Sequence, residues 1–66
     1  MTTDEVATRV AEIVAVRFDP ESAHGKEDDL YRDVLCAIAD GTCADPAACA
    51  RTALQTGELD FPRWMA

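Results

Sequence analysis

His24, Glu27, Asp28 and Tyr31 are the residues whose types and spacing come closest to forming a chemical site. On a continuous helix they stand at i, i+3, i+4 and i+7 and therefore share one face. His24 and Asp28 have the spacing of two metal ligands, but helix-borne zinc motifs need a second histidine. The sequence contains a single histidine. We therefore predict no bound metal and no other cofactor.

The C-terminal segment offers partners for these residues. It carries Arg63 and Trp64, residue types that dominate the energetics of protein interfaces. We predict that it folds back over the helices, so that Arg63 pairs with Glu27 or Asp28. Trp64 then packs on His24. In the alternative interpretation the segment is a free docking peptide. The candidate binding residues are His24, Glu27, Asp28, Arg63 and Trp64.

Three cysteines stand at positions 36, 43 and 49. Zinc knuckles and redox motifs use much tighter spacing, of the Cys-x2-Cys kind. Cys36 also lies off the main apolar face of its helix. The spacing therefore predicts small thiols that are buried or half-buried, with no disulfide or metal role.

Catalytic motifs are missing from the sequence. It contains one serine and one histidine, and it has no glycine-rich loop that could cradle a phosphate. A serine triad, paired catalytic acids and a phosphate-binding loop therefore find no support. We predict that the protein is not an enzyme.

The charge balance restricts the partners. Thirteen acidic residues against six basic ones give a formal net charge of −7. Without a basic cluster, direct binding to nucleic acid or to an anionic membrane is not expected. A basic protein partner is compatible with this charge, and so is a purely solubilising role. The N-terminus lacks the basic region and apolar run of a signal peptide, so a cytoplasmic location is expected.

The pattern of caps and apolar residues predicts an all-α fold, a small three-helix bundle with an aromatic C-terminal tail packed back on it. Thr3 is the expected cap of the first helix, and Asp-Pro pairs precede the other two. Gly25 leaves two alternatives open, a continuous second helix or one that breaks there. Residues 1–66 form one predicted domain, with helices over about 4–17, 20–40 and 46–56 and a tail over 57–66.

Packing expectations follow from the same pattern. Val16 and Phe18 lie off the apolar stripe of the first helix, so we expect them to pack where the chain turns. The apolar face of the second helix should continue through Leu35 and Ile38. The third helix presents mostly alanines, with Leu54 its one large apolar residue, and should pack tightly against the other two. The core is small for an independent domain, which makes a homodimer or a bound partner a reasonable expectation.

Three segments resemble a group of small proteins from actinobacteria and their phages. Residues 23–30 match the pattern Ala-His-x-x-Glu-Asp-x-Leu, and residues 34–41 match Val-Leu-x-x-Ile-Ala-x-Gly. Residues 61–66 match Phe-x-Arg-Trp-x-Ala. The resemblance covers about the last two thirds of the chain and does not include the cysteines. It implies an actinobacterial or phage origin and points to residues worth testing, but it implies no activity.

These observations together favour an accessory protein that acts through protein–protein contacts, of phage or mobile-element origin. It would present an acidic helical surface or the edge that carries Trp64. One alternative is a nucleic-acid mimic that inhibits a DNA-binding protein through ordered carboxylates. A weaker alternative is a metal-binding regulator built around His24.

Overall fold

Three α-helices account for most of the chain in the computed structural model, which describes residues 1–63. Helix α1 spans Thr3–Ala15, α2 spans Pro20–Asp40 and α3 spans Pro46–Leu54, followed by a 3-10 turn over Gln55–Glu58. Residues 1–63 contain no strand. The predicted all-α helical bundle is confirmed.

Helix α1 begins and ends earlier than the sequence pattern predicts. Its cap is Thr2 rather than Thr3, because the Thr2 hydroxyl accepts the Glu5 backbone N–H at 3.2 Å. The helix ends at Ala15, where the next backbone N–H groups bond three residues back instead of four. This tightening turns the chain before Pro20, which disfavours a helical residue in front of it.

Helix α2 runs through Gly25 without a break. Its cap is Asp19, whose carboxylate accepts the Ser22 N–H, and Pro20 takes the first helical position. A Cβ added at Gly25 would meet no atom within 4 Å, so this glycine faces open space. Gly41 ends the helix in the left-handed conformation, at φ +74°. The continuous alternative is therefore the observed one.

Helix α3 is shorter than predicted and ends at Leu54 rather than near Thr56. Asp45 caps it by accepting the Ala48 N–H at 3.1 Å. At the other end the Thr56 hydroxyl donates to the Ala53 carbonyl at 3.1 Å. This side-chain bond competes with the regular helix ladder, and the chain continues as a 3-10 turn.

The core lies where the three helices meet and is closed by the C-terminal segment. Helix α3 packs against both α1 and α2, as its small residues predict. Phe61 is only 5% exposed, which confirms that this part of the tail folds back. The buried cluster consists of Val6, Ile13, Ala23, Leu30, Val34, Cys49, Ala53 and Phe61.

Four large apolar residues that the pattern places in the core or at the turn are exposed instead. Phe18 is 84% exposed, whereas Val16 does pack against the core. Leu35 is 66%, Leu54 is 65% and Ile38 is 37% exposed. Leu35 lies about 100° around α2 from buried Val34, and the alanine side chains on the facing side of α3 are too small to cover it.

Candidate functional site: an apolar groove beside a buried ion pair

The candidate site on α2 begins with a buried ion pair. Glu27 is 4% exposed, and its two carboxylate oxygens accept hydrogen bonds from Arg63 at 2.8 and 3.2 Å. Such a bidentate pair is among the strongest side-chain contacts because both partners are charged and planar. The predicted partner of Arg63 was Glu27 or Asp28, and the structure places it on Glu27.

Arg63 also holds the backbone of the C-terminal segment. Its Nη2 donates to the carbonyls of Thr56 and Leu59 at 2.8 and 3.2 Å, and its Nη1 donates to that of Phe61 at 3.2 Å. The guanidinium lies over the Phe61 ring, 3.8 Å from the centroid. Hydrogen bonding to Glu27 raises the pKa of Arg63, so this side chain stays charged. Arg63 therefore acts as a latch that ties residues 56–63 to α2.

His24 and Asp28 form a weaker pair beside the latch. His24 Nε2 lies 3.4 Å from Asp28 Oδ2, with the histidine 14% and the aspartate 63% exposed. Among residues 1–63 no group of three metal-ligating side chains comes together. Asp28 points into solvent and does not join Glu27 and Arg63. The predicted contact of Trp64 with His24 lies outside the described residues.

The remaining polar groups of this face are used by the fold. The Tyr31 hydroxyl and the Thr56 hydroxyl are 2.6 Å apart, and Thr56 is fully buried. Within residues 1–63 every buried side-chain nitrogen or oxygen has a hydrogen-bond partner. The face of α2 that the sequence marked as a candidate chemical site thus mainly makes internal contacts that join α2 to the C-terminal segment.

An apolar groove runs beside this face, between α2 and α3. It encloses about 260 Å³ and lies next to the exposed Leu35 and Leu54. Its lining is formed by Tyr31, Val34, Leu35, Ala50, Ala53 and Leu54. Sequence reasoning missed it because Leu35 and Leu54 were assigned to the core. The sequence did contain an indication of the groove. Val34 and Leu35 are adjacent, so the apolar stripe of α2 is wider than a facing helix covers.

Two arginines share helix faces with the exposed leucines of this groove. Arg32 stands three residues before Leu35 on α2, and Arg51 stands three residues before Leu54 on α3. Residues at this spacing share a helix face. Both arginines are exposed, and Arg32 reaches Asp29 at 3.1 Å on the surface. The charge of Arg32 is thus balanced by Asp29, which leaves Arg51 as the basic residue on the α3 side.

The opposite edge of α2 is polar. Arg9 on α1 pairs with Asp33 at 2.7 Å. A smaller cleft of about 150 Å³ lies nearby and is lined by Arg9, Glu12, Lys26 and Asp29. Opposite charges compensate one another there, so this edge offers no concentrated field and little apolar surface.

The three thiols differ in burial. Cys49 is fully buried and Cys43 is half-buried, as predicted, but Cys36 is exposed. The exposure of Cys36 follows from its position off the apolar face of α2. The Cys49 sulfur lies 3.8 Å from the Thr3 hydroxyl, which places it at the contact between α1 and α3.

Comparisons with known proteins give no information on the family of this chain. No family model matches the chain, and neither a curated protein nor a solved structure matches it significantly. Among residues 1–63, no helix combines the length and the apolar character needed to span a membrane.

Proposed function

We propose that the protein is an accessory protein–protein interaction module that binds an amphipathic helix of its partner in the groove between α2 and α3. The observation that carries the proposal is the groove itself, an apolar channel next to two exposed leucines. Burying a leucine side chain stabilises a complex by roughly 1.5 to 3 kcal/mol. On a chain with so small a core, leaving two of them in solvent favours a role in binding.

The shape of the groove fits a helix. Helices α2 and α3 form its walls, and a helix of the partner that presents apolar residues at i, i+3 or i+4 and i+7 can lie between them. Two of the lining residues, Ala50 and Ala53, are small. Small residues allow a close approach of the incoming backbone.

The charge beside the groove sets the chemistry of the partner. Arg51, three residues before Leu54 on α3, favours an acidic residue beside the apolar stripe of the bound helix. A second copy of this chain is disfavoured as the occupant, because two molecules of charge −7 repel each other. The same long-range charge is compatible with a partner that is basic away from the docked helix.

The test uses a synthetic amphipathic helix of about 20 residues, long enough to retain helicity in water. One version carries glutamates beside a leucine stripe at i, i+3, i+7, and the other carries lysines at the same places. We expect the glutamate version to bind about tenfold more tightly in isothermal titration calorimetry. Equal affinity, or a preference for the lysine version, would contradict the chemistry assigned to the partner.

Variants of the protein locate the binding site. Leu54→Glu should weaken binding of the glutamate peptide by about 30-fold, since it places a charge in the groove. Phe18→Glu is the matched control, because Phe18 is even more exposed but lies at the turn after α1. Arg51→Glu should weaken binding. Lys26→Glu is its matched control, because it makes the same change of charge at the other edge of α2 and should not weaken binding. If sedimentation equilibrium instead shows a dimer that Leu54→Glu dissociates, a second copy occupies the groove.

The other proposed roles receive less support from the geometry. A nucleic-acid mimic needs unpaired carboxylates on one face, but Glu27, Asp29 and Asp33 are each paired with an arginine. The proposed origin in a phage or mobile element rests on the sequence resemblance, and the genes that flank the coding sequence would test it.

A further inference from the structure

Thr56 and Tyr31 form a short hydrogen bond beside the groove between α2 and α3. Their hydroxyl oxygens are 2.6 Å apart, and Thr56 is fully buried. Tyr31 lines the groove, whereas Thr56 does not. Tyr31 is also the only lining residue with a polar side chain. The placement of its hydroxyl therefore decides whether the groove is apolar throughout.

The direction of this hydrogen bond follows from the second bond that Thr56 makes. A hydroxyl has one proton to donate, and a carbonyl oxygen can only accept. The Thr56 hydroxyl lies 3.1 Å from the Ala53 carbonyl and donates its proton there. In the 2.6 Å contact Tyr31 is therefore the donor and Thr56 the acceptor. The Tyr31 proton thus points toward the buried Thr56 rather than into the groove.

The backbone of Thr56 is held as well. Its carbonyl accepts a hydrogen bond from Arg63 Nη2 at 2.8 Å, and Arg63 is itself bound to the buried Glu27. This contact uses a backbone atom, so a substitution of the Thr56 side chain does not remove it. The Arg63 latch therefore holds in place the residue that accepts the Tyr31 proton.

We propose that Thr56 is a positioning residue that determines the specificity of the groove, because it takes up the Tyr31 hydroxyl and so restricts the bound helix to aliphatic anchors. The inference rests on the proposed function, since it concerns what the same groove accepts. A free hydroxyl in the wall would offer a hydrogen bond to an amide or hydroxyl anchor. With the hydroxyl bound to Thr56, a polar anchor loses its water and gains no partner.

Thr56→Val tests this role with a side chain of nearly the same shape. The Tyr31 hydroxyl would then face a methyl group and would have to turn toward the groove to find water. The glutamate peptide should bind about tenfold more weakly in isothermal titration calorimetry. Thr56→Ser is the matched control, because it keeps the accepting hydroxyl and should keep the affinity.

A second peptide reads the specificity directly. It is the glutamate peptide with its central leucine replaced by asparagine. The wild-type protein should prefer the leucine peptide by about 30-fold, and Thr56→Val should reduce this preference to about threefold. A general loss of structure would weaken both peptides and would leave their ratio unchanged.

Tyr31→Phe removes the hydroxyl that needs a partner. Alone, it should leave the affinity for the leucine peptide within about twofold of the wild type, because the hydroxyl takes no part in the groove. Added to Thr56→Val, it should restore most of the lost affinity. A merely structural role of Thr56 would show no such rescue, since the double variant has fewer hydrogen bonds than either single one.

The hydroxyl can also be followed without a peptide. The chain contains one tyrosine, so an isotopic carbon label at its Cζ reports hydrogen–deuterium exchange of the Tyr31 hydroxyl by NMR. We expect slow exchange in the wild type and in Thr56→Ser, and exchange at least about tenfold faster in Thr56→Val. Exchange in the folded wild type as fast as in urea would overturn the inference.

The outcomes separate this inference from the proposed function. Binding that Thr56→Val leaves unchanged, or a double variant as weak as Thr56→Val, would overturn the inference while the groove remains a binding site. A large loss of affinity in Tyr31→Phe would do the same, because the hydroxyl would then contact the peptide. If the wild-type protein binds neither peptide, the proposed function is wrong, and the inference falls with it.

Discussion

At the scale of single residues, Arg63 makes more hydrogen bonds than any other side chain in residues 1–63. It donates hydrogen bonds to the buried carboxylate of Glu27 and to three backbone carbonyls. A buried carboxylate without a partner costs several kcal/mol, whereas the pair itself contributes much less over two apolar residues. Removing Arg63 would therefore destabilise the protein mainly because the Glu27 carboxylate would stay buried without a partner.

We predict that Arg63→Ala lowers the free energy of unfolding by about 3 kcal/mol, because Glu27 would keep a buried, uncompensated charge. Urea denaturation followed by circular dichroism measures this change. Arg32→Ala is the matched control, since its contact with Asp29 is exposed and should contribute less than about 0.5 kcal/mol. Similar losses in the two variants would contradict the latch. Glu27→Gln should recover part of the loss in the Arg63→Ala background.

The sequence predicted the Arg63 latch in part. A lone arginine near the C-terminus and a run of three acids on α2 predicted an ion pair between them. The choice between Glu27 and Asp28 was not predictable, because neighbouring helical residues point about 100° apart. One of them faces the core and the other faces solvent, and which is which depends on where α1 and α3 pack. That information lies in the assembled bundle.

At the scale of the helices, caps determine where each one starts, and glycines have opposite roles at two positions. Gly25 lies inside α2 in helical conformation with open space around it. Gly41 lies just past the end of α2 with φ +74°, a conformation that side chains other than glycine rarely adopt.

We predict opposite effects of the same substitution at these two positions. Gly25→Ala should stabilise the protein by about 1 kcal/mol, because alanine has the higher helix propensity and fits without a clash. Gly41→Ala should destabilise it by about 1 kcal/mol, since a Cβ disfavours the left-handed conformation. For a protein of this size each change corresponds to about 4 to 8 °C in Tm, which differential scanning calorimetry resolves. A loss of stability in Gly25→Ala would contradict a continuous α2.

Helix starts were more predictable than helix ends. Asp19-Pro20 and Asp45-Pro46 specify both the cap and the first residue, and the structure uses both pairs. The ends of α1 and α3 depend on hydrogen bonds that shift from four to three residues back, and at α3 on the Thr56 hydroxyl. The alternative hydrogen-bonding patterns at a helix end differ little in energy, so residue types alone do not predict where the helix ends.

At the scale of the whole molecule, the core is small, and a groove is left beside it because α3 presents mostly small side chains to α2. The alanines of α3 bring the helices close together, but they leave Leu35 and Leu54 uncovered. The adjacent Val34 and Leu35 indicate a wide apolar stripe, but the spacing of apolar residues does not say how much of that stripe a neighbouring helix covers. The proposed binding site thus follows from the mismatch in size between α2 and α3.

The C-terminal segment contributes a large share of this core through Phe61. A domain of this length has a free energy of unfolding of about 3 to 10 kcal/mol, and Phe→Ala in a core typically costs about 3 to 5 kcal/mol. We predict that Phe61→Ala leaves much of the protein unfolded at 37 °C, as measured by loss of ellipticity at 222 nm and by early urea midpoints. Phe18→Ala is the matched control, because Phe18 is 84% exposed and its removal should cost less than about 0.5 kcal/mol. Equal melting of the two variants would show that residues 57–63 are dispensable for the bundle, and the groove would then have to be tested without the latch beside it.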